Sequence, residues 1–213
     1  MSLVTFTTDD FDIFTIDGLE PRMDAIRKMI QPKFKELGQL ISIELSDALQ
    51  VESLPVHIAQ HLRRSKNPPK DTWCAIGGDN RGYKRYPHFQ LGLYHSHLFM
   101  WLAFIDNPQF EEEMAQSFIE NPFNLEQLTA DYVVSFDHTK EQVTAIQEAD
   151  LIKGLSRWRD VKKGEFLVGR QLMAKDPIFN DPQALQEFIL STFQQLIPLY
   201  RQAIEAYPLA KVK

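Results

Sequence analysis

The feature that most narrows the fold is an absence: from Tyr86 to Ile105, twenty consecutive residues include no Asp, Glu, Lys or Arg. A helix of that length would cross a bilayer, but the composition argues against one. His88, His95 and His97, with Pro87 and Gln90, are costly in hydrocarbon, and Phe89, Leu91 and Leu93 alternate with Gln90, Gly92 and Tyr94. The run is predicted to form two paired strands, His88 to Tyr94 and His97 to Ile105, with His95 in the turn between them. The second strand is apolar in both alternations, Phe99, Trp101 and Ala103 against Leu98, Met100, Leu102 and Phe104. It therefore belongs in the middle of a sheet, buried on both faces.

The flanking sequence supplies strands and helices to complete a domain. Further strands are predicted from Val56 to His61, Thr72 to Ile76, Tyr132 to Phe136 and Glu165 to Met173. Gly77, Gly78 and Gly82 are suited to the positive φ angles of a turn. A cap at Thr7 to Asp10 precedes a helical stripe of Leu19, Met23, Ile26 and Ile30, which continues through Phe34, Leu37, Ile41 and Leu45. Pro32 is expected to kink or restart that helix. Later helices are expected after Asn107–Pro108, around Leu151 to Trp158, and after Asp181–Pro182, the last kinked at Pro198. With 213 residues, 44% of them hydrophobic and fifteen of them Phe, the chain can fill one core and is not disordered. The pattern predicts a single α+β domain over residues 1–213, a mostly antiparallel sheet with helices packed on it. The lone Cys74 is expected to be buried and inert, and fits a reducing, cytoplasmic setting. The N-terminus has no cationic region, and Asp9 and Asp10 interrupt its apolar start, so neither export nor a membrane anchor is expected.

Nucleotide-loop, nucleophile-elbow and zinc-protease signatures are missing, as are paired His-x-Ser/Thr phosphoesterase motifs. What remains is uneven charge. Residues 51–100 hold seven Lys or Arg against three acids, in a chain whose net charge is −6. Five of the six histidines fall there too. Arginine forks grip phosphate or carboxylate oxygens, aromatic faces stack on rings, and imidazoles move protons near neutral pH. Candidate ligand-binding residues are therefore Arg63, Arg64, Arg81, Lys84 and Arg170 for oxygens, with Trp73 and Tyr83 for stacking. His57, His61 and His88 are the candidate general acids or bases. The leading expectation is a binding module for an anionic, phosphate-containing ligand, a nucleotide or single-stranded nucleic acid. The alternatives are a phosphoester hydrolase or transferase using a His/Arg site, and a protein-interaction or structural role. The plainer account of the same residues is a solvated strand end and hairpin tip. His95 with His97, and His57 with His61, supply too few ligands for a closed metal site, so no metal and no cofactor is expected. Gly169 beside Arg170 points to a β-bulge or to a close approach by a ligand or strand.

Several segments together carry a resemblance: Phe6 to Leu19 with Arg22 and Met23, Asn67 to Trp73, Arg81 to Lys84, Pro87 to Leu93, Asp137–His138, and Lys163 to Arg170. In these the chain resembles the YktB-like family of uncharacterised bacterial proteins over nearly its whole length. The resemblance implies a cytosolic, soluble α+β protein and transfers no catalytic role to any residue.

Overall fold

In the computed structural model, which describes residues 3–105 and 108–206, the charge-free run forms the centre of a seven-stranded sheet. Helix α1 (Thr8–Asp12) is closed by a capping box, with the Thr7 N–H donating to Asp10 Oδ2 over 2.6 Å. Helix α2 (Leu19–Ala25) runs through a π turn (Ile26–Ile30) into α3 (Gln31–Leu49). The strands are β1 (Val56–Ile58), β2 (Asp71–Ile76), β3 (His88–Tyr94), β4 (His97–Phe104), β5 (Val133–Ser135), β6 (Thr144–Ala145) and β7 (Phe166–Met173). Helices α4 (Glu111–Glu120) and α5 (Phe123–Glu126) follow β4, α6 (Leu151–Asp160) precedes β7, and α7 (Pro182–Glu205) closes the chain. The strand order is β1-β2-β3-β4-β7-β5-β6, and every pairing is antiparallel. This is the predicted α+β architecture, with β4 central and buried at every position.

The period-two alternation sorts the strand side chains between two faces. Phe89, Leu91, Leu93, Leu98, Met100, Leu102, Phe104, Phe166 and Val168 join the main core, with Ile41, Met114, Trp158 and Phe193 from α3, α4, α6 and α7. On the other face Tyr94, Phe99, Trp101, Ala103, Ile105 and Leu167 form a smaller cluster. Among the described residues, the hydrophobic groups packed against it are Trp73, Val133 and Val143, none of them from a helix. Its roof is two loops, held by long-range side-chain bonds. Trp73 Nε1 donates to the Tyr83 hydroxyl over 3.0 Å, and Ser96 Oγ donates to Glu141 Oε2 over 2.6 Å. Two glycines make room for the rings beneath. Gly92 pairs with Phe99 and Gly169 with Trp101. A Cβ on the first would strike the Phe99 ring, and one on the second the Met100 carbonyl and the Trp101 ring.

Several details differ from the sequence expectations. The first strand ends at Ile58, not His61, because His61 takes φ +52° and turns the chain. The register of β4 with β7 is continuous through Gly169, so the expected bulge gives way to close strand approach. Pro198 lies inside the C-terminal helix as expected, and α7 continues past it to Glu205. As expected, the helix restarts at Pro32: α3 begins at Gln31, and the π turn just before it accommodates the missing N–H. The short β6 was not anticipated. The expected helix start at Asn107 lies outside the described residues, and α4 begins at Glu111. Among the described residues, no helix is long and apolar enough to cross a membrane.

Candidate functional site

The loop-covered face carries a cleft at the end of the sheet where β2 begins. Asp71 and Trp73, two residues apart, point to this face, and Asp71 is paired across the ladder with Tyr94. The loop leading into β2 is pinned from below. The buried Arg22 guanidinium donates to the Ile16 carbonyl over 2.9 Å and to the Pro69 carbonyl over 2.8 Å. From the opposite side the connection between β5 and β6 brings in His138. The mouth of the cleft is a cavity of about 420 Å³ lined by Arg64, Asn67, Lys70, Asp71, Trp73, Tyr94, His138 and Thr139. Behind it lies a slot of about 20 Å³, lined by Phe99, Trp101, Ser135 and Gln171, with room for little more than a water molecule.

The electrostatics of the cleft follow from burial. Desolvation pushes the Asp71 carboxyl up to about 6, against the nearby positive charge of Arg64. Burial, with Asp71 close by, also raises the Tyr94 phenol. His97 is pushed down to about 4 by burial; its Nδ1 lies 2.7 Å from Ser96 Oγ and its Nε2 3.0 Å from Gln171 Nε2. Nδ1 of His138 lies 2.8 Å from both Glu165 carboxylate oxygens, and its backbone N–H donates to Oε2 over 2.9 Å. This carboxylate sets the orientation of the ring.

The residues singled out from the sequence scatter. Arg64 and Trp73 meet in the mouth. Tyr83 bonds to Trp73 but roofs the neighbouring half of the face, where its ring is tilted against His57 and edge-on to His88, with centroids 5.5 and 4.6 Å away. His88 is buried, with Nδ1 2.8 Å from the Tyr86 carbonyl and Nε2 2.9 Å from Gln90 Nε2, so both ring nitrogens are engaged. His57 is half-buried, and its Nε2 has no hydrogen-bond partner. His61 bonds to Thr72 Oγ1 over 3.1 Å and is pushed down to about 4 by burial. None of these three histidines lines the mouth or the slot. Arg63 is exposed, and Arg81 and Lys84 are exposed in the loop at the far end of β2. Arg170 stands on the helix-covered face, bonded to Asp131 over 2.7 Å and packed against the rings of Tyr132 and Phe188. Val168 and Leu172, two residues to either side, belong to the main core, so Arg170, expected among the ligand-binding residues, is not part of the cleft. Asp71, Tyr94, His138 and Glu165 were not singled out as site residues, although Asp71, His138 and Glu165 fall within the motifs that carry the family resemblance. Cys74 is buried on the helix-covered face, and burial pushes its thiol up to about 12. Among the described residues, no group of three or more His, Cys, Asp or Glu is arranged to hold a metal ion.

Known proteins share this chain along nearly all its length. Residues 6–200 match the model of a domain of unknown function, DUF1054. A UPF0637 protein of Shouchella clausii is 48% identical over 207 residues, covering 97% of this chain and 98% of its own. UPF0637 proteins of Enterococcus faecalis and Listeria monocytogenes are 46% and 40% identical, covering 95% and 96% of this chain and 99% and 100% of theirs. The chain therefore belongs to the DUF1054 family of bacterial UPF0637 proteins, the family of unknown function that its motifs resemble.

Proposed function

We propose that the protein is a cytoplasmic binding module for a small phosphate-bearing anion with a planar ring, such as a nucleotide, taken up in the mouth of the cleft. The observation that carries this is the meeting of two cations, Arg64 and Lys70, with two aromatic side chains, Trp73 and Tyr94, around one cavity. The guanidinium and ammonium would hold phosphate oxygens while a ring packs on the indole or phenol face. The net charge of −6 does not oppose this, because at physiological ionic strength exposed charges are screened beyond about 8 Å. Arg81 and Lys84 join the opposite end of β2, roughly 17 Å away at about 3.3 Å per residue. That separation favours a single nucleotide over an extended strand.

The test is titration of the four ribonucleoside monophosphates and of an oligothymidylate, followed by thermal shift and calorimetry at low and high salt. A monophosphate should stabilise the protein, with a modest salt dependence, and Arg64→Ala and Trp73→Ala should weaken binding while remaining folded. A steep salt slope with preference for the oligonucleotide would replace the nucleotide with single-stranded nucleic acid. No stabilisation by any anion at low salt, or unchanged binding in both variants, overturns the proposal.

A further inference from the structure

We infer that the mouth of the cleft and the cavity beside it form one bipartite site, and that the nucleotide taken up in the mouth is a nucleoside polyphosphate whose outer phosphates reach Arg157 and Lys163. This rests on the binding proposed for the mouth and names the class of ligand.

The second cavity holds about 390 Å³ and is lined by Arg157 and Lys163, with Phe136, Gly164 and the turn from Asp137 to Thr139. His138 and Thr139 line the mouth as well, so the two spaces adjoin across these residues. Each space brings two cations. Arg64 and Lys70 stand on one side, Arg157 and Lys163 on the other, and among the described residues no hydrogen bond or ion pair occupies any of these four side chains. Two glycines build the second cavity. Arg157 lies in the last turn of α6 and Lys163 in the turn that leads on to β7. A Cβ on Gly164 would strike the Trp158 Cα and the Arg157 carbonyl, so a bare backbone lets that turn fold onto the helix end and sets both cations at one opening. A Cβ on Gly154 would strike the Phe136 ring, which instead seats against α6 as a wall of the cavity. The run of Lys163 and Gly164 stands out in the sequence, and binding in the mouth alone gives it no part.

Two carboxylates also line this cavity, and both are engaged within the shared wall. Asp137 accepts the N–H and the hydroxyl of Thr139 over 3.0 and 2.6 Å and pairs with Lys140 over 3.1 Å. Glu165 accepts the His138 N–H over 2.9 Å and lies 2.8 Å from Nδ1 of its ring. These bonds fix the wall and leave Arg157 and Lys163 to an outside anion. The two cavities differ in what else they offer. Trp73 and Tyr94 in the mouth present two aromatic side chains, which suits a base. The second cavity has only Phe136, whose ring is itself packed on Phe166 with centroids 5.9 Å apart. A guanidinium fork and an ammonium with little free ring surface suit a chain of phosphates and not a second base. The base would then pack in the mouth, the first phosphate would meet Arg64 and Lys70, and the outer phosphates would cross Thr139 to Arg157 and Lys163.

The experiment is calorimetric titration of the full-length protein with adenosine and guanosine mono-, di- and triphosphates, and with NAD as a dinucleotide probe, in EDTA so that no metal ion masks the phosphates. It compares the wild type with Arg64→Ala and with Arg157→Ala and Lys163→Ala, singly and together, each first shown to be folded by thermal melting. Both positions are exposed, and Lys163→Glu stands in if the double variant does not fold. In the wild type the affinity should rise by about tenfold or more from monophosphate to triphosphate, the return on one added charge-assisted hydrogen bond. The double variant should lose that gain and keep the monophosphate affinity, whereas Arg64→Ala should weaken both ligands. Equal affinity for mono- and triphosphate in the wild type, or a gain that survives in the double variant, overturns the bipartite site and leaves the mouth standing. Tighter binding of the dinucleotide than of the triphosphate, lost in the double variant, overturns the polyphosphate class in favour of a second nucleotide. Triphosphate binding that needs Arg157 and Lys163 but is untouched by Arg64→Ala and Trp73→Ala overturns the reading of the mouth, and with it the bridge between the two. Absence of binding by every nucleotide overturns both readings together.

Discussion

The two faces of the sheet are closed by different means. Helices α3, α4, α6 and α7 press on one, bringing continuous apolar stripes, and among the strand residues there the buried polar exceptions are Thr72 and Arg170. Loops roof the other and bring few apolar groups, so His88, Gln90 and His97 are buried among Phe99 and Trp101. Those groups are kept by bonding to one another and to Gln171 and Ser96. A buried polar group without a partner costs several kcal/mol, so a face of this kind persists only where local bonds satisfy it. The difference teaches where chemistry can reside. A helix-covered face excludes water and ligand alike, whereas a loop-covered face leaves a gap wherever two loops fail to meet, and the cleft at Asp71 is such a gap.

Four substitutions probe this contrast. The largest effect is expected on the helix-covered face, where Leu102→Asp places a charge with no partner in the main core and should cost about 4 kcal/mol or prevent folding. Urea denaturation measures it, and wild-type stability would refute the assignment of β4 to the sheet interior. On the loop-covered face Gly92→Ala forces the Phe99 ring aside and should cost about 1–3 kcal/mol. A cost above that of Leu102→Asp would show that the loops are no softer a cover than the helices.

The third change has the opposite sign. The Asp71 carboxyl holds its proton up to about pH 6 in the folded protein, against about 4 in the unfolded chain. Between those values the folded state binds more protons, so Asp71 penalises folding above pH 6 and the penalty disappears as the pH falls towards 4. Asp71→Asn should therefore be more stable than wild type at pH 8 by on the order of 2 kcal/mol, with the difference vanishing near pH 4. His61 and His97, both lowered to about 4, act in the reverse direction, since the unfolded chain takes up their protons first. They contribute equally to both proteins, so the difference isolates Asp71. A gain that does not depend on pH would show that burial is not what holds the proton. The smallest effect is expected of the exposed Arg64, whose replacement by Ala should change stability by no more than about 0.5 kcal/mol. A larger loss would make it a structural residue of the loop and not part of a ligand site.

The centre of the fold was readable from the chain because burial leaves a local record. Two apolar alternations in His97 to Ile105 can mean only a strand covered on both sides, and the helical stripes of Phe34 to Leu45 and Leu185 to Leu196 supply one of the covers. In β7 the same alternation sets Phe166, Val168 and Leu172 on the helix-covered face, and Arg170, expected to bind a ligand, lies among them. The cleft was not readable in this way. Arg64 and Trp73 stand near each other in sequence, but the β5–β6 connection that brings His138 to them is placed by bonds between Ser96 and Glu141, and between His138 and Glu165, over separations of 45 and 27 residues. Periodicity reports whether a side chain is covered and is silent about what covers it. A helix announces its packing face in its own sequence, while a loop takes its path from a few distant hydrogen bonds, and those are decided only when the whole chain has folded.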